Sequence, residues 1–390
     1  MAARTILVAA VLLATSSARP AGAQSRVVDL TAPDGLALKA TFFSAASRGP
    51  GVLLLHQCNR QRAIWAGLAQ RLAAAGIHVL TMDLRGFGDS AGDRFDKAPP
   101  AVQAKQQAQW PGDIDVAFQY LITQPNVVRD VIGVGGASCG VNNSIQTARR
   151  HPEVKSLVLL SGTTDLEGRR FLRSGRPVPT FLALADDDEF PQSVQTTQWL
   201  HSVTATPEKR LVHYPHGGHG ADMFTLHPEL IASIVDWYRT TLITTPAHAP
   251  AAKDASTAGK QFAALALVDA PDGPSRVAKQ LADARRRDPK ATIFPEALMN
   301  VVGYEHLQSG NVAQAIAVFA LNVSAFPASA NAYDSLADAY LAAGKKDLVR
   351  VNAQKALDLL PSDTTVSAEF RSRLRESAEQ KLKDLGAPAN

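Results

Sequence analysis

Residues 131–140 read Val131-Ile132-Gly133-Val134-Gly135-Gly136-Ala137-Ser138-Cys139-Gly140. The first half is an apolar run, which suits a strand buried on both faces of a sheet. Residues 140–150 have a helical pattern. Between the two lies Gly136-Ala137-Ser138-Cys139-Gly140, a G-x-S-x-G. A strand passing directly into a helix through this pattern makes a sharp turn with one side chain exposed at its tip. The residues two before and two after that side chain must be small. Ser138 has glycine at both places, whereas Cys139 would have Ala137 and Val141. Ser138, not Cys139, is therefore the candidate nucleophile. A serine hydroxyl needs a base, and the base needs an orienting acid.

Working outward, further apolar runs lie at 51–56, 78–82, 156–161, 180–185 and 210–214, with helical patterns near 62–75, 112–123, 191–202 and 227–242. Strands alternating with helices predict an α/β fold with a mostly parallel sheet. Before them, residues 26–44 alternate about Pro33-Asp34-Gly35, a hairpin signal. Two stretches downstream of Ser138 carry candidate partners. Val178 to Ala185 is a strand followed by Asp186-Asp187-Asp188-Glu189, and the next strand leads into His213-Tyr214-Pro215-His216-Gly217-Gly218-His219-Gly220. The chain order serine, acid, histidine fits a hydrolytic triad. The same aspartates and histidines can be read as metal ligands, but a strand and loop present three imidazoles less well than a helix does. The triad accounts for them with fewer assumptions, so no metal and no cofactor is expected.

The chain has 390 residues, more than one ordinary domain, with 40 basic and 36 acidic side chains. That balance, without a basic run interleaved with aromatics, argues against nucleic acid. Two cysteines, Cys58 and Cys139, exclude a disulfide-rich scaffold and a four-cysteine zinc site. Residues 1–23 read as an export signal: Arg4, an apolar run from Ile6 to Ala14, then Ala21-Gly22-Ala23 before Gln24. The run is short for a membrane span. The expected product is a periplasmic or secreted protein with no stable membrane insertion.

The expected domains are a catalytic unit over 24–243, an Ala/Thr/Pro-rich linker over 244–259 and a helical region over 260–390. In the last, Gly310 and Gly344 are 34 residues apart, as are Pro327 and Pro361, Gly303 and Ala337, and Met299 and Tyr333. This period resembles tetratricopeptide repeats, with a polar capping helix near 366–385. Two or three such units are few for independent stability, so the region is expected to pack on itself, on the catalytic unit or on another chain, through self-association or a protein partner.

Residues 26–243 resemble the α/β-hydrolase superfamily, and most its dienelactone-hydrolase-like and esterase-like members. The matching pieces are His56 after the third strand, Asp83-Leu84-Arg85-Gly86-Phe87-Gly88-Asp89-Ser90 after the fourth, and the Ser138 turn. In that family the acid lies nine residues after a proline that starts its strand. Counted from Pro179 this is Asp188, with Asp186 and Asp187 as alternatives. The family's histidine sits between glycines, which selects His219 over His213 and His216. One oxyanion donor is implied to be the amide of Cys139 and the other that of Cys58, although Gln57 stands where the family has glycine. The two cysteines would then face each other, either bonded or as free thiols. Ser138 in place of the cysteine nucleophile of dienelactone hydrolases argues against that reaction.

The connection 161–178 is too short for a cap domain, so an open site is expected. Its Arg169, Arg170, Arg173 and Arg176 read as a solvated loop or as contacts to an anionic substrate. Substrate-pocket candidates are His56, Gln57, Trp65, Phe87, Phe190, His216 and Phe224. The expected chemistry is hydrolysis of a small-molecule ester. The alternatives are an amidase or peptidase with the same triad, and a scaffold that binds a protein through its repeats.

Overall fold

A computed structural model of the chain describes residues 24–244, 262–270, 272–363 and 367–386. The expected export signal and nearly all of the expected linker lie outside the described residues. The strands are β1 (Gln24–Thr31), β2 (Ala37–Ser44), β3 (Gly49–Leu55), β4 (His78–Met82), β5 (Val127–Ala137), β6 (Val154–Leu160), β7 (Thr180–Ala185) and β8 (Lys209–Tyr214). They form one sheet in the order β1-β2-β4-β3-β5-β6-β7-β8. β1 pairs with β2, and β2 with β4, antiparallel; all other pairings are parallel. Every residue of β3, β4 and β7 is buried, as unbroken apolar runs require when both faces are covered.

Helices α1 (Ala66–Ala74), α2 (Pro100–Ile122), α3 (Cys139–Arg150), α4 (Leu166–Ser174), α5 (Pro191–Val203), α6 (Met223–Leu226) and α7 (Pro228–Arg239) occupy the connections. Ile114, Phe118 and Leu121 of α2 join Val141 and Ile145 of α3 in the core on one face. Leu68 and Leu72 of α1 join Leu230, Ile234 and Trp237 of α7 on the other. Sheet order, flanking helices and a serine turn after β5 make this an α/β-hydrolase fold. Two expectations change. The helix expected from 112 begins at Pro100 and runs through Pro111, which reads as a start signal in isolation. The connection 161–178 is not an open loop: it holds α4, capped by the Asp165 carboxylate, which accepts from Gly168 N at 2.8 Å.

The C-terminal region is all-α. It comprises α8 (Ala263–Val268), α9 (Gly273–Arg287), α10 (Glu296–Gln308), α11 (Val312–Ala325), α12 (Ala330–Ala342), α13 (Lys346–Leu359) and α14 (Ala368–Gly386), with sequential neighbours packed together from α10 onward. Gly310 after α10 and Gly344 after α12 both take positive φ, 79° and 68°, in like turns. The region packs on the catalytic unit. Trp199 and Val203 of α5 are buried with Phe262, Leu265, Met299 and Val302. Arg169 of α4 stacks its guanidinium 4.3 Å above the Trp199 ring and donates to Glu305 of α10 at 2.6 Å. Arg173 donates to Ala266 O at 2.8 Å. Arg176 donates to the carbonyls of Ala148, His151 and Val154. Three of the four arginines are thus structural ties; Arg170 pairs at the surface with Glu167. No helix among the described residues is long and apolar enough to cross a membrane.

Candidate active site

Ser138 stands between β5 and α3 with φ 52° and ψ −118°. Both flanking glycines are required by close approach. A Cβ on Gly136 would lie 2.1 Å from Gly140 O, and one on Gly140 would lie 2.4 Å from Leu55 O of β3. Ser138 N donates to Leu160 O at the end of β6, at 2.9 Å, which pins the turn to the neighbouring strand. Cys139 opens α3, so its amide is among the N-terminal N–H groups that have no acceptor within the helix.

The acid loop follows β7 and the histidine loop follows β8. Each of the three aspartates faces one histidine. Asp186 accepts from His213 at 2.6 Å, and Asp187 lies 3.4 Å from His216; both pairs are solvent-exposed. Asp187 also accepts from Gly218 N and Gly217 N, which hold its carboxyl below the ordinary range. The third pair is different. Asp188 and His219 have side chains only 1% and 3% exposed, and His219 Nδ1–H donates to the carboxylate oxygens at 2.9 and 2.8 Å. Asp188 also accepts from Phe190 N at 2.8 Å, and the Phe190 ring meets the His219 imidazole edge-on at 4.7 Å. His219 Nε2 is buried and finds no hydrogen-bond partner among the described residues. Its loop lies against the serine turn, because a Cβ on Gly220 would be 3.1 Å from the Ala137 Cβ. No hydrogen bond joins Ser138 Oγ to His219 Nε2 among the described residues.

The loop after β3 lies beside the turn. Cys58 and Cys139 are joined by a disulfide with Cα atoms 5.8 Å apart. Gln57, at the position expected to line the pocket, is fully buried and latches two loops together. Its Oε1 accepts from Ala221 N at 2.9 Å, and its Nε2 donates to Asn59 Oδ1 at 3.0 Å and Asp222 Oδ2 at 3.2 Å. Arg60 forks onto Asp222 at 3.1 and 3.0 Å, and Asn59 donates to Glu189 of the acid loop at 3.2 Å. No sequence signal points to Asn59, Arg60 or Asp222, whose bonds between the loops span more than a hundred residues.

Among the other pocket candidates, His56 is fully buried, donating from Nδ1 to Gln57 O and accepting from Leu84 N at Nε2; burial pushes its imidazole below the ordinary value. It holds the loop and does not line a pocket. Trp65 is also fully buried and is a packing residue, and the partly buried Phe224 meets it at 5.9 Å against the same core. His216 projects into solvent beside Asp187, with its side chain 78% exposed. Phe87 and Phe190 do face cavities. Phe87, with Cys58, Asn59, Arg60 and Arg94, borders one of about 300 Å³. Phe190 borders a cleft of about 1300 Å³ whose opposite wall is the helical region. The site expected to be open thus adjoins, across Phe190, a cleft walled by C-terminal helices. The described residues hold no cluster of three or more side chains suited to a metal.

Residues 49–175 match the family model described as serine aminopeptidase, S33, less than half of the chain. The chain is 28% identical to a pimeloyl-acyl carrier protein methyl ester esterase of Aeromonas salmonicida, over 35% of this chain and 66% of that protein. It is also 28% identical to a polyketide transferase of a Penicillium species, over 36% of this chain and 46% of that one. The chain thus spans less than two thirds of the curated relatives it matches. Similar solved structures include an esterase of Pyrococcus furiosus, 19% identical with a TM-score of 0.45, covering 56% of this chain and 94% of that one. A cold-adapted esterase from an Arctic intertidal metagenomic library is 23% identical with a TM-score of 0.47, covering 57% and 96%.

Proposed function

We propose that this chain is an exported serine hydrolase that cleaves carboxylic esters through an acyl-enzyme. The observation that carries the reading is the buried Asp188–His219 pair, whose loop lies against the strand-to-helix turn that holds a serine at positive φ. In this reading Ser138 Oγ attacks the ester carbonyl and His219 Nε2, which no other group among the described residues engages, takes the hydroxyl proton. Asp188 holds the proton on Nδ1 and steadies the imidazolium. The amides of Cys139 and Cys58 receive the negative charge that develops on the carbonyl oxygen. Collapse of the tetrahedral intermediate breaks the ester C–O bond, and His219 returns the proton to the departing alcohol. Water, deprotonated by the same imidazole, then attacks the acyl carbon and releases the acid and free Ser138.

A serine peptidase or amidase with the same groups is the second reading, favoured by the match of residues 49–175 to the serine aminopeptidase model. Export is supported by the Cys58–Cys139 bond, since such bonds persist outside the reducing cytoplasm. The like turns at Gly310 and Gly344 support a tetratricopeptide-like reading of the helical region, with self-association or a protein partner as its further role.

The test is labelling with a fluorophosphonate, followed by nitrophenyl esters against aminoacyl anilides. A single adduct on Ser138 and faster ester turnover support the first reading; faster anilide turnover favours the second. Absence of an adduct on Ser138 removes both. A Ser138→Ala chain that loses ester hydrolysis but keeps its role in the cell would point to a scaffold.

A further inference from the structure

The cleft of about 1300 Å³ has two walls from distant parts of the chain. Glu189, Phe190, Gln192 and Gln195 come from the catalytic unit, and the rest from the helical region, chiefly α10, α12 and α14. Phe190 belongs to both places, since its ring also meets the His219 imidazole at 4.7 Å. Glu189 belongs to both as well, through the bond it accepts from Asn59 of the loop after β3. Phe190 thus lies between the cleft and His219, and the cleft adjoins the candidate site on its histidine side.

The cleft carries an excess of carboxylate. Glu296 accepts from the Ser329 hydroxyl at 2.6 Å and from Asn331 Nδ2 at 3.3 Å, and has no cationic partner among the described residues. Glu189 likewise has only the neutral Asn59 amide. Asp334 and Asp338 share the single Lys381 ammonium, at 2.9 and 2.8 Å. Glu305 is matched by Arg169, and Arg373 is the remaining cation on the wall. Phe294, Tyr304 and Phe326 supply aromatic surface between these groups. Uncompensated carboxylates beside aromatic faces favour a cation carried on an apolar stem.

The chemistry decides which half of an ester goes there. His219 must hand its proton to the leaving oxygen, so the alcohol half lies on the imidazole side, where the cleft is. The acyl half is then assigned to the other side, where Cys58 borders the cavity of about 300 Å³. Pockets of roughly 300–1000 Å³ hold drug-sized molecules, so the alcohol side has room for a large group and the acyl side for a short one.

We propose that the helical region forms the alcohol-binding wall of the active site and selects esters of short acids with alcohols bearing a cationic group on an apolar stem. This rests on the ester-hydrolase reading and names its substrate class.

The experiment compares acetate esters of three alcohols of equal length, ending in an ammonium, a methyl or a carboxylate, on the full chain. The ammonium ester is expected to exceed the methyl ester in kcat/KM by about tenfold at low salt, with the carboxylate ester below both. The advantage falls toward unity at high salt, in Glu296→Gln, and in Glu189→Gln, a second variant at an exposed position. Equal kcat/KM for the three esters, in a chain whose Ser138 labels with fluorophosphonate, overturns the cleft assignment. If Ser138 does not label and no ester turns over, the hydrolase reading fails by itself. The cleft is then read by calorimetry with the ammonium-bearing alcohol: binding that weakens in Glu296→Gln supports it, and absence of binding overturns it.

Discussion

Replacing Cys58 and Cys139 together by serine tests the bond that joins the serine turn to the loop beside it. The two residues are 81 positions apart. Cross-linking a loop of that length removes chain entropy from the unfolded state, worth about 4.5 kcal/mol at 25 °C in the chain-entropy account. With roughly 2–4 °C of Tm for each kcal/mol in a unit of about 220 residues, the melting transition should fall by about 9–18 °C. Activity should fall too, because the bond fixes the spacing between the proposed oxyanion amides. One such donor is worth about 10²–10³ in kcat. Gln57 and Arg60 still hold the loop after β3 onto residues 221 and 222, so the expected loss in kcat is partial, roughly tenfold to a hundredfold. Scanning calorimetry and nitrophenyl-ester kinetics, each with and without reductant, measure both effects. Reductant should reproduce the double substitution and leave that variant unchanged. A native chain that alkylates at two thiols without reductant, or a variant with unchanged Tm and kcat, would refute the reasoning.

Three further outcomes are expected. Asp188→Asn should lower ester kcat by about 10⁴-fold, as loss of the orienting acid does in other serine triads, while Asp187→Asn should cost far less; equal losses would overturn the choice between them. Gln57→Ala leaves the buried Ala221 amide without its acceptor and should destabilise the chain by about 2–3 kcal/mol in denaturant titration, with a matching loss of ester turnover. An unchanged midpoint would show that the latch contributes nothing to stability. His306 of α10 is buried, which pushes its imidazole below the ordinary value; it faces Asp269 at 3.8 Å, with Arg169 and Arg170 nearby. A lowered imidazole contributes stability that is fully present above the unfolded value of about 6.5 and is lost as pH falls through the folded value. Tm should therefore decline on the acid side of that value, and His306→Gln should flatten the decline. Parallel curves for the two chains would rule the imidazole out as its source.

Much of the candidate site is legible in the linear chain, because its signals are local. The Ser138 turn is dictated by two glycines within two residues of it, and contacts of 2.1 and 2.4 Å that a Cβ would make explain why both are needed. The order of serine, acid and histidine is likewise a property of the linear chain. The choice among three aspartates and three histidines is less so. Each aspartate faces a histidine, and what separates Asp188 and His219 from the other two pairs is burial, to which the Phe190 ring against the imidazole contributes.

Aromatic side chains show the limit most clearly. Trp65 and Phe190 are both aromatic, yet the first fills the core and the second borders a cleft beside His219. The four arginines after β6 read as a solvated loop because the partners that bury three of them lie in other segments. Arg169 is buried since Glu305, 136 residues further on, brings a carboxylate and Trp199 offers an aromatic face. Strand runs, turn glycines and helix caps are set by interactions over a few residues, so the α/β order and the serine turn follow from the chain itself. Which face meets solvent, which acid is shielded and which helices wall the cleft are set by contacts between segments far apart. Burial and ion pairing are properties of that meeting, and they exist only once the chain has folded.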